Sequence, residues 1–169
     1  MLLIIDGYNL LHVGRSLTRL SATDLQRERE RLIDRLAVYR RDRVCDITVV
    51  FDGWQSGWVT ENRGREKGID LVFSKLGEKA DEVIKRMMKE KGAGVMVITS
   101  DREIAKFAER ISVSVVPSEQ FVEKMEKLVL SPPKDYNEGE EENNGEKKKG
   151  PSRRLSKKER RARAALKKL

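Results

Sequence analysis

Four aspartates occupy positions where chemistry could be done: Asp6, Asp52, Asp81 and Asp101. Residues 2–5 are apolar and run straight into Asp6-Gly7. Asp46-Ile-Thr-Val-Val-Phe51 runs into Asp52-Gly53, and Val95-Met-Val-Ile runs through Thr99-Ser100 into Asp101. A short apolar, β-rich run broken by turn or polar residues reads as a buried strand. In open α/β sheets, sites form outside the carboxyl ends of the strands. Asp81 opens a helical pattern, so it too falls at an element boundary. Any one of these acids can simply cap the next helix. Four that converge repel each other unless a cation sits among them. Their hard oxygens suit Mg²⁺ or Mn²⁺, and such an ion can activate water and stabilise charge on a phosphodiester. Gly7 permits a sharp turn or the close approach of a ligand. Asn9 supplies an amide that both donates and accepts.

The elements that must position these acids alternate. A helix is expected from Ser21 or Thr23, both good N-caps, to about Arg41, with Leu25, Leu32, Leu36 and Tyr39 on one face. Residues 54–68 hold two tryptophans, three glycines and several charges, and read as a mobile surface loop. There Trp54 and Trp58 either stack bases beside Arg63, Arg65 and Lys67 or pack on the domain. A third strand follows over 69–73. A helix then buries Ala80, Val83, Ile84, Met87 and Met88. A fourth strand, a helix with Ile104, Phe107 and Ala108, a fifth strand over 112–116 and a last helix from Pro117 complete the pattern. Repeated strand–helix alternation argues for a doubly wound, parallel sheet with helices on both faces.

Charge is unevenly spread. Residues 147–169 hold twelve Lys or Arg and one acid, net +11, while residues 1–146 hold 24 basic and 27 acidic residues, net −3. A mildly acidic globule thus carries a basic tail, of a kind that binds nucleic acid or merely solubilises. Residues 131–151 run from acidic to basic with almost no apolar content and are expected to be a disordered linker. Residues 152–169 favour a basic helix, marginal without a partner. Lys147, Lys148 and Lys149 at the end of the linker and Arg153, Arg154, Lys157, Lys158, Arg160 and Arg161 in the tail are candidate RNA contacts. Cys45 stands alone, so no intrachain disulfide forms. His12 is the single histidine, which rules out paired-imidazole RNA cleavage and a His-rich zinc site within one chain. No apolar run is long enough for a membrane span and no signal-peptide pattern opens the chain. The expectation is a soluble cytoplasmic protein.

Asp6-Gly7-Tyr8-Asn9 after the first strand, Phe51-Asp52 after the second, Ala80-Asp81 opening a helix and Thr99-Ser100-Asp101 after the fourth together resemble the NYN domain. The likeness is greatest to its YacP-like branch, related to PIN-domain nucleases, and covers roughly residues 2–130. The resemblance implies a PIN-like three-layer α/β/α sandwich around a mainly parallel five-stranded sheet. It also implies metal-dependent endoribonuclease activity on mRNA at the ribosome, with Mg²⁺ or Mn²⁺ as cofactor. Carried over by motif, Asp6, Asp81 and Asp101 would be the catalytic, metal-binding carboxylates. Asn9 and Ser100 would support them, with Asp52 a weaker member. The organisation expected is a nuclease domain over 1–130, a linker over 131–151 and a basic tail over 152–169.

The competing class is a non-catalytic RNA- or ribosome-binding module with a degenerate acidic site, which the basic tail supports equally. An aspartyl phosphatase would want a second acid two residues after Asp6, where Tyr8 stands. A phosphate-cradling P-loop run is missing from the sequence.

Overall fold

The strands that carry the acids are apolar toward both faces, as a sheet covered on two sides requires. The structure is a computed structural model, which describes residues 1–13, 21–53, 59–130 and 164. The chain runs β1 (Leu2–Asp6), α1 (Gly7–Leu11), α2 (Ala22–Arg43), β2 (Asp46–Phe51), β3 (Asn62–Glu66), β4 (Ile69–Phe73), α3 (Ala80–Lys91), β5 (Val95–Ile98), α4 (Arg102–Arg110), β6 (Ser114–Val116) and α5 (Ser118–Leu130). The six described strands form one sheet in the order β3-β4-β2-β1-β5-β6. All neighbours are parallel except β3 and β4.

Alternate residues of the strands other than β3 feed two separate cores. Leu3, Ile5, Val49 and Phe51 pack with Leu10, Leu32, Leu36 and Phe121, beneath α1, α2 and α5. Ile4, Val50, Val72 and Val97 pack with Val83, Met87, Met88 and Ile104, beneath α3 and α4. This is the three-layer α/β/α sandwich expected of a PIN-like fold. No described helix is long and apolar enough to cross a membrane.

The expected five-stranded sheet has six strands. Residues 62–66, expected to lie in a mobile loop, form β3 and pair antiparallel with β4. The joining residues Lys67 (φ 51°) and Gly68 (φ 81°) are both left-handed, the backbone of a two-residue hairpin turn. Strand β3 reads Asn-Arg-Gly-Arg-Glu. As a polar edge strand it needs no buried face, so it carries no alternation to detect. Gly7, expected to permit a sharp turn or the close approach of a ligand, begins the short helix α1. A Cβ there would meet the Phe51 ring at 2.3 Å, so glycine is required where α1 crosses the end of β2.

From β1 the chain winds outward to β2 and β4, then returns to the other side of β1 for β5 and β6. The direction of winding therefore switches between β1 and β5. The carboxyl ends of these two strands frame the crevice in which such sheets bind ligands.

Candidate active site

Asp6 ends β1 at that crevice and is 7% exposed. Its Oδ1 accepts the Asn9 backbone N–H at 3.1 Å, which caps α1, and its Oδ2 accepts the Thr99 hydroxyl at 3.1 Å. Burial pushes its pKa up to about 6. These two hydrogen bonds oppose the rise, and the charges of Asp81 and Asp52 add to it. Thr99 lies just past the Ile5–Ile98 pairing of β1 with β5, which puts its hydroxyl beside Asp6. The same Thr99 oxygen accepts the Asp101 N–H at 3.1 Å. One buried hydroxyl thus fixes the spacing between two of the acids.

Asp101 caps α4, its Oδ1 accepting the N–H groups of Glu103 at 2.7 Å and Ile104 at 3.0 Å. Asp52 caps a helix that is not its own. Lys79 at the N-cap of α3 makes no side-chain cap, and Asp52 Oδ1 accepts the Ala80 N–H at 2.6 Å across the gap from β2. Asp6, Asp52 and Asp101 are therefore helix caps as well as strand-end acids, and the two readings of these residues hold together.

Asp81 differs from the other three. It lies in the first turn of α3, partly buried, and accepts no hydrogen bond from any described residue. Its pKa is raised, first by burial, then by the charge of Asp101 and also that of Asp52, against the opposing charges of Lys85 and Lys79. Asp6 in turn feels Asp81 more than Asp52. Asp81 thus feels Asp101 and Asp52 and is itself felt by Asp6. Among the described residues, no three Asp, Glu, His or Cys side chains stand close enough to share one ion. The two facts agree, because Coulomb coupling reaches further than a metal–oxygen bond.

Asn9 and Ser100 form a polar knot at the same edge. Asn9 Oδ1 accepts the Ser100 N–H at 2.8 Å and the Ser118 hydroxyl at 2.6 Å. Ser100 Oγ accepts the Ser118 N–H at 3.0 Å and donates to Glu119. Thr99, Ser118 and Glu119 are members of the site that the sequence reading did not single out. Thr99 was visible inside the Thr-Ser-Asp run. Ser118 and Glu119 gave no local signal, because α5 returns to β1 only through the tertiary fold. His12 is exposed at the end of α1.

Arg63 and Arg65 lie on β3, and Lys67 lies in the hairpin turn. Each faces an acid: Arg63 pairs with Glu61 at 2.7 Å, Arg65 with Asp70 at 3.6 Å, and Lys67 with Asp34. Trp54, Trp58 and the tail cations Lys147, Lys148, Lys149, Arg153, Arg154, Lys157, Lys158, Arg160 and Arg161 lie outside the described residues.

The chain is 27% identical over 103 residues to the uncharacterized protein YacP of Bacillus subtilis (strain 168), an alignment covering 59% of this chain and 60% of that protein. It therefore matches three fifths of that relative's length. Its fold matches the crystal structure of Rae1 (YacP) from Bacillus subtilis with a TM-score of 0.61 at 23% identity, over 76% of this chain and 75% of that one. A point mutant of the same protein matches with a TM-score of 0.64 at 22% identity, over 76% of both chains. The model of the YacP-like NYN domain matches residues 3–168, running past residue 130 into the basic tail. With an acid at the end of three strands, a fourth opening α3 and that match spanning nearly the whole sequence, the chain belongs to the YacP-like NYN domain family, a nuclease-type family of the PIN-like superfamily.

Proposed function

We propose that the protein is a metal-dependent endoribonuclease that hydrolyses RNA phosphodiester bonds, with mRNA on or near the ribosome as its target. The observation that carries this reading is Asp81, a partly buried carboxylate with no described hydrogen-bond donor, coupled to Asp6, Asp52 and Asp101 at the switch point of the sheet. A carboxylate held that way is costly in a purely structural role. The nuclease unit is residues 1–130, and the linker (131–151) and basic tail (152–169) bring it to RNA.

The donor set fits a hard divalent cation in its chemistry. It offers oxygen ligands only, and the neighbouring carboxylate charges that help to raise the pKa of Asp6 and Asp81 are of the kind a cation offsets. Asp6, Asp81 and Asp101 would hold Mg²⁺ or Mn²⁺, which would activate a water and stabilise charge on the phosphate. The chain's own residues do the positioning. Thr99 locks Asp6 against the start of α4. Asp52, by capping α3 from β2, fixes where Asp81 stands. Asn9 and Ser100 tie β1 to β5 and to α5. In the hydrolysis, the water oxygen bonds to phosphorus as the bond to the leaving ribose oxygen breaks, so no protein nucleophile is required.

One observation favours the second reading, an RNA- or ribosome-binding module with a degenerate site: the described residues hold no ready-made three-ligand cage. Incubating the full chain with RNA and Mn²⁺ beside Asp81→Asn separates the two. The nuclease reading expects a loss of about 10²-fold or more in cleavage rate. It also expects a Mn²⁺-dependent rise in Tm in the wild type that the variant lacks. Wild type that cleaves neither free RNA nor ribosome-bound mRNA, with the variant binding RNA equally well, leaves the binder reading standing.

A further inference from the structure

Phosphate brought to four carboxylates is repelled unless cations at the rim hold it. The β3 hairpin, where sequence placed such cations, spends its charges on Glu61, Asp70 and Asp34. On the side of the site bounded by α3 and α4 the situation differs. Lys75 and Lys79, in the segment between β4 and α3, and Arg102, the first residue of α4, are exposed and make no salt bridge with a described residue. Lys79 is two residues before Asp81 and near enough for its charge to act on that carboxylate. Arg102 directly follows Asp101.

The segment 74–79 is held at both ends. Ser74 is fully buried. Its N–H donates to the Phe51 carbonyl at 3.0 Å, and its hydroxyl accepts the Gly53 N–H at 3.0 Å. The Glu78 N–H closes a turn onto the Lys75 carbonyl at 3.0 Å, with Gly77 left-handed at φ 82°. The Glu78 carboxylate accepts from Arg86 at 2.5 Å. Between these anchors Leu76 stands 59% exposed, an apolar side chain the turn itself does not need. A fixed segment loses little freedom on binding, so its contacts go into affinity.

We propose that Lys75, Lys79 and Arg102 hold the RNA phosphates flanking the bond to be cleaved, with Leu76 against the sugar and base between them. The contact surface for the RNA backbone is therefore the α3/α4 rim, not the β3 hairpin. This rests on the RNA-cleaving reading above, and the test separates the two.

The full chain is titrated with a fluorescent single-stranded oligouridylate in EDTA across a salt series, and its cleavage kinetics are measured separately with Mn²⁺. In the variant combining Lys75→Ala, Lys79→Ala and Arg102→Ala, the slope of log affinity against log salt falls by about 2, three contacts at about 0.7 each. KM rises about tenfold, more than kcat falls, and the thermal midpoint does not move. Removing the same charge from Lys89, Lys91 and Lys106, exposed on α3 and α4 away from their N-termini, leaves the slope unchanged. Equal losses in both sets would mean that only net charge matters, which overturns the proposal. Unchanged slopes in both, with cleavage intact, overturn it while the nuclease reading stands. Wild type that neither binds nor cleaves overturns both.

Discussion

At Asp6 the chain buries a carboxylate that accepts two hydrogen bonds from described residues, and burial with the charges of Asp81 and Asp52 pushes its pKa from 3.8 up to about 6. The sign of the linkage follows. Between about pH 4 and 6 the folded chain binds this proton more tightly than the unfolded chain does, so stability contributed at this position falls as pH rises. Above the folded pKa the penalty is complete, at roughly 2–3 kcal/mol. Asp6→Asn is therefore expected to stabilise the protein by about 1–3 kcal/mol at pH 7.5 and by nothing at pH 4, with the Thr99 hydroxyl turning to accept from the new amide. Urea unfolding at pH 4, 5 and 7.5 checks this. A variant no more stable than wild type at pH 7.5 would show that Asp6 is structural. A residue that destabilises its own fold at neutral pH is a candidate for function rather than packing.

Among the elements, the junction of β2, β4 and α3 is the least forgiving. A Cβ at Gly53 would lie 1.9 Å from the Ser74 carbonyl oxygen, whereas one at Gly64 on β3 would meet nothing within 4 Å. The contact at Gly53 is backbone, so no rotamer relieves it. Gly53→Ala must part β2 from β4 and lift Asp52 off the Ala80 N–H. The expected cost is about 3 kcal/mol, with cleavage lost even where the fold persists, while Gly64→Ala changes stability by less than about 0.5 kcal/mol. Chemical denaturation of the pair tests the contrast. This junction also marks where the sequence stopped being readable. Strands β1, β2, β4 and β5 are short apolar runs, and α2 and α4 open on Ser21 and Asp101, so burial and capping write these elements locally. Strand β3 buries no face, and its one local sign was the Lys67-Gly68 turn. The acids were legible because each ends or opens an element. The capping of α3 by Asp52, the Thr99 bridge and the return of Ser118 to Asn9 depend on which strands lie side by side, and no local pattern records that.

At the scale of the whole molecule, charge is divided between parts with different tasks. The chain outside 147–169 carries a net −3 and that segment a net +11, so the tail is the part expected to attract a polyanion over distance and the acidic site the part expected to repel it. Attraction of this kind is sequence-independent and salt-sensitive, and it raises encounter without aligning a phosphate for attack. Placement falls to the fixed cations at the α3/α4 rim. Deleting 147–169 should therefore flatten the salt dependence of RNA or ribosome binding by up to about 8 in log–log slope, twelve contacts at about 0.7 each on a single strand. The cleavage rate at saturating RNA should change far less, because the carboxylates and the rim segment are untouched. Removing the rim cations acts the other way, with a small change in slope and a disproportionate loss in KM. A deletion that leaves the slope unchanged would mean that the tail is not the electrostatic anchor. A deletion that abolishes turnover at saturating RNA would mean that the tail helps to build the site.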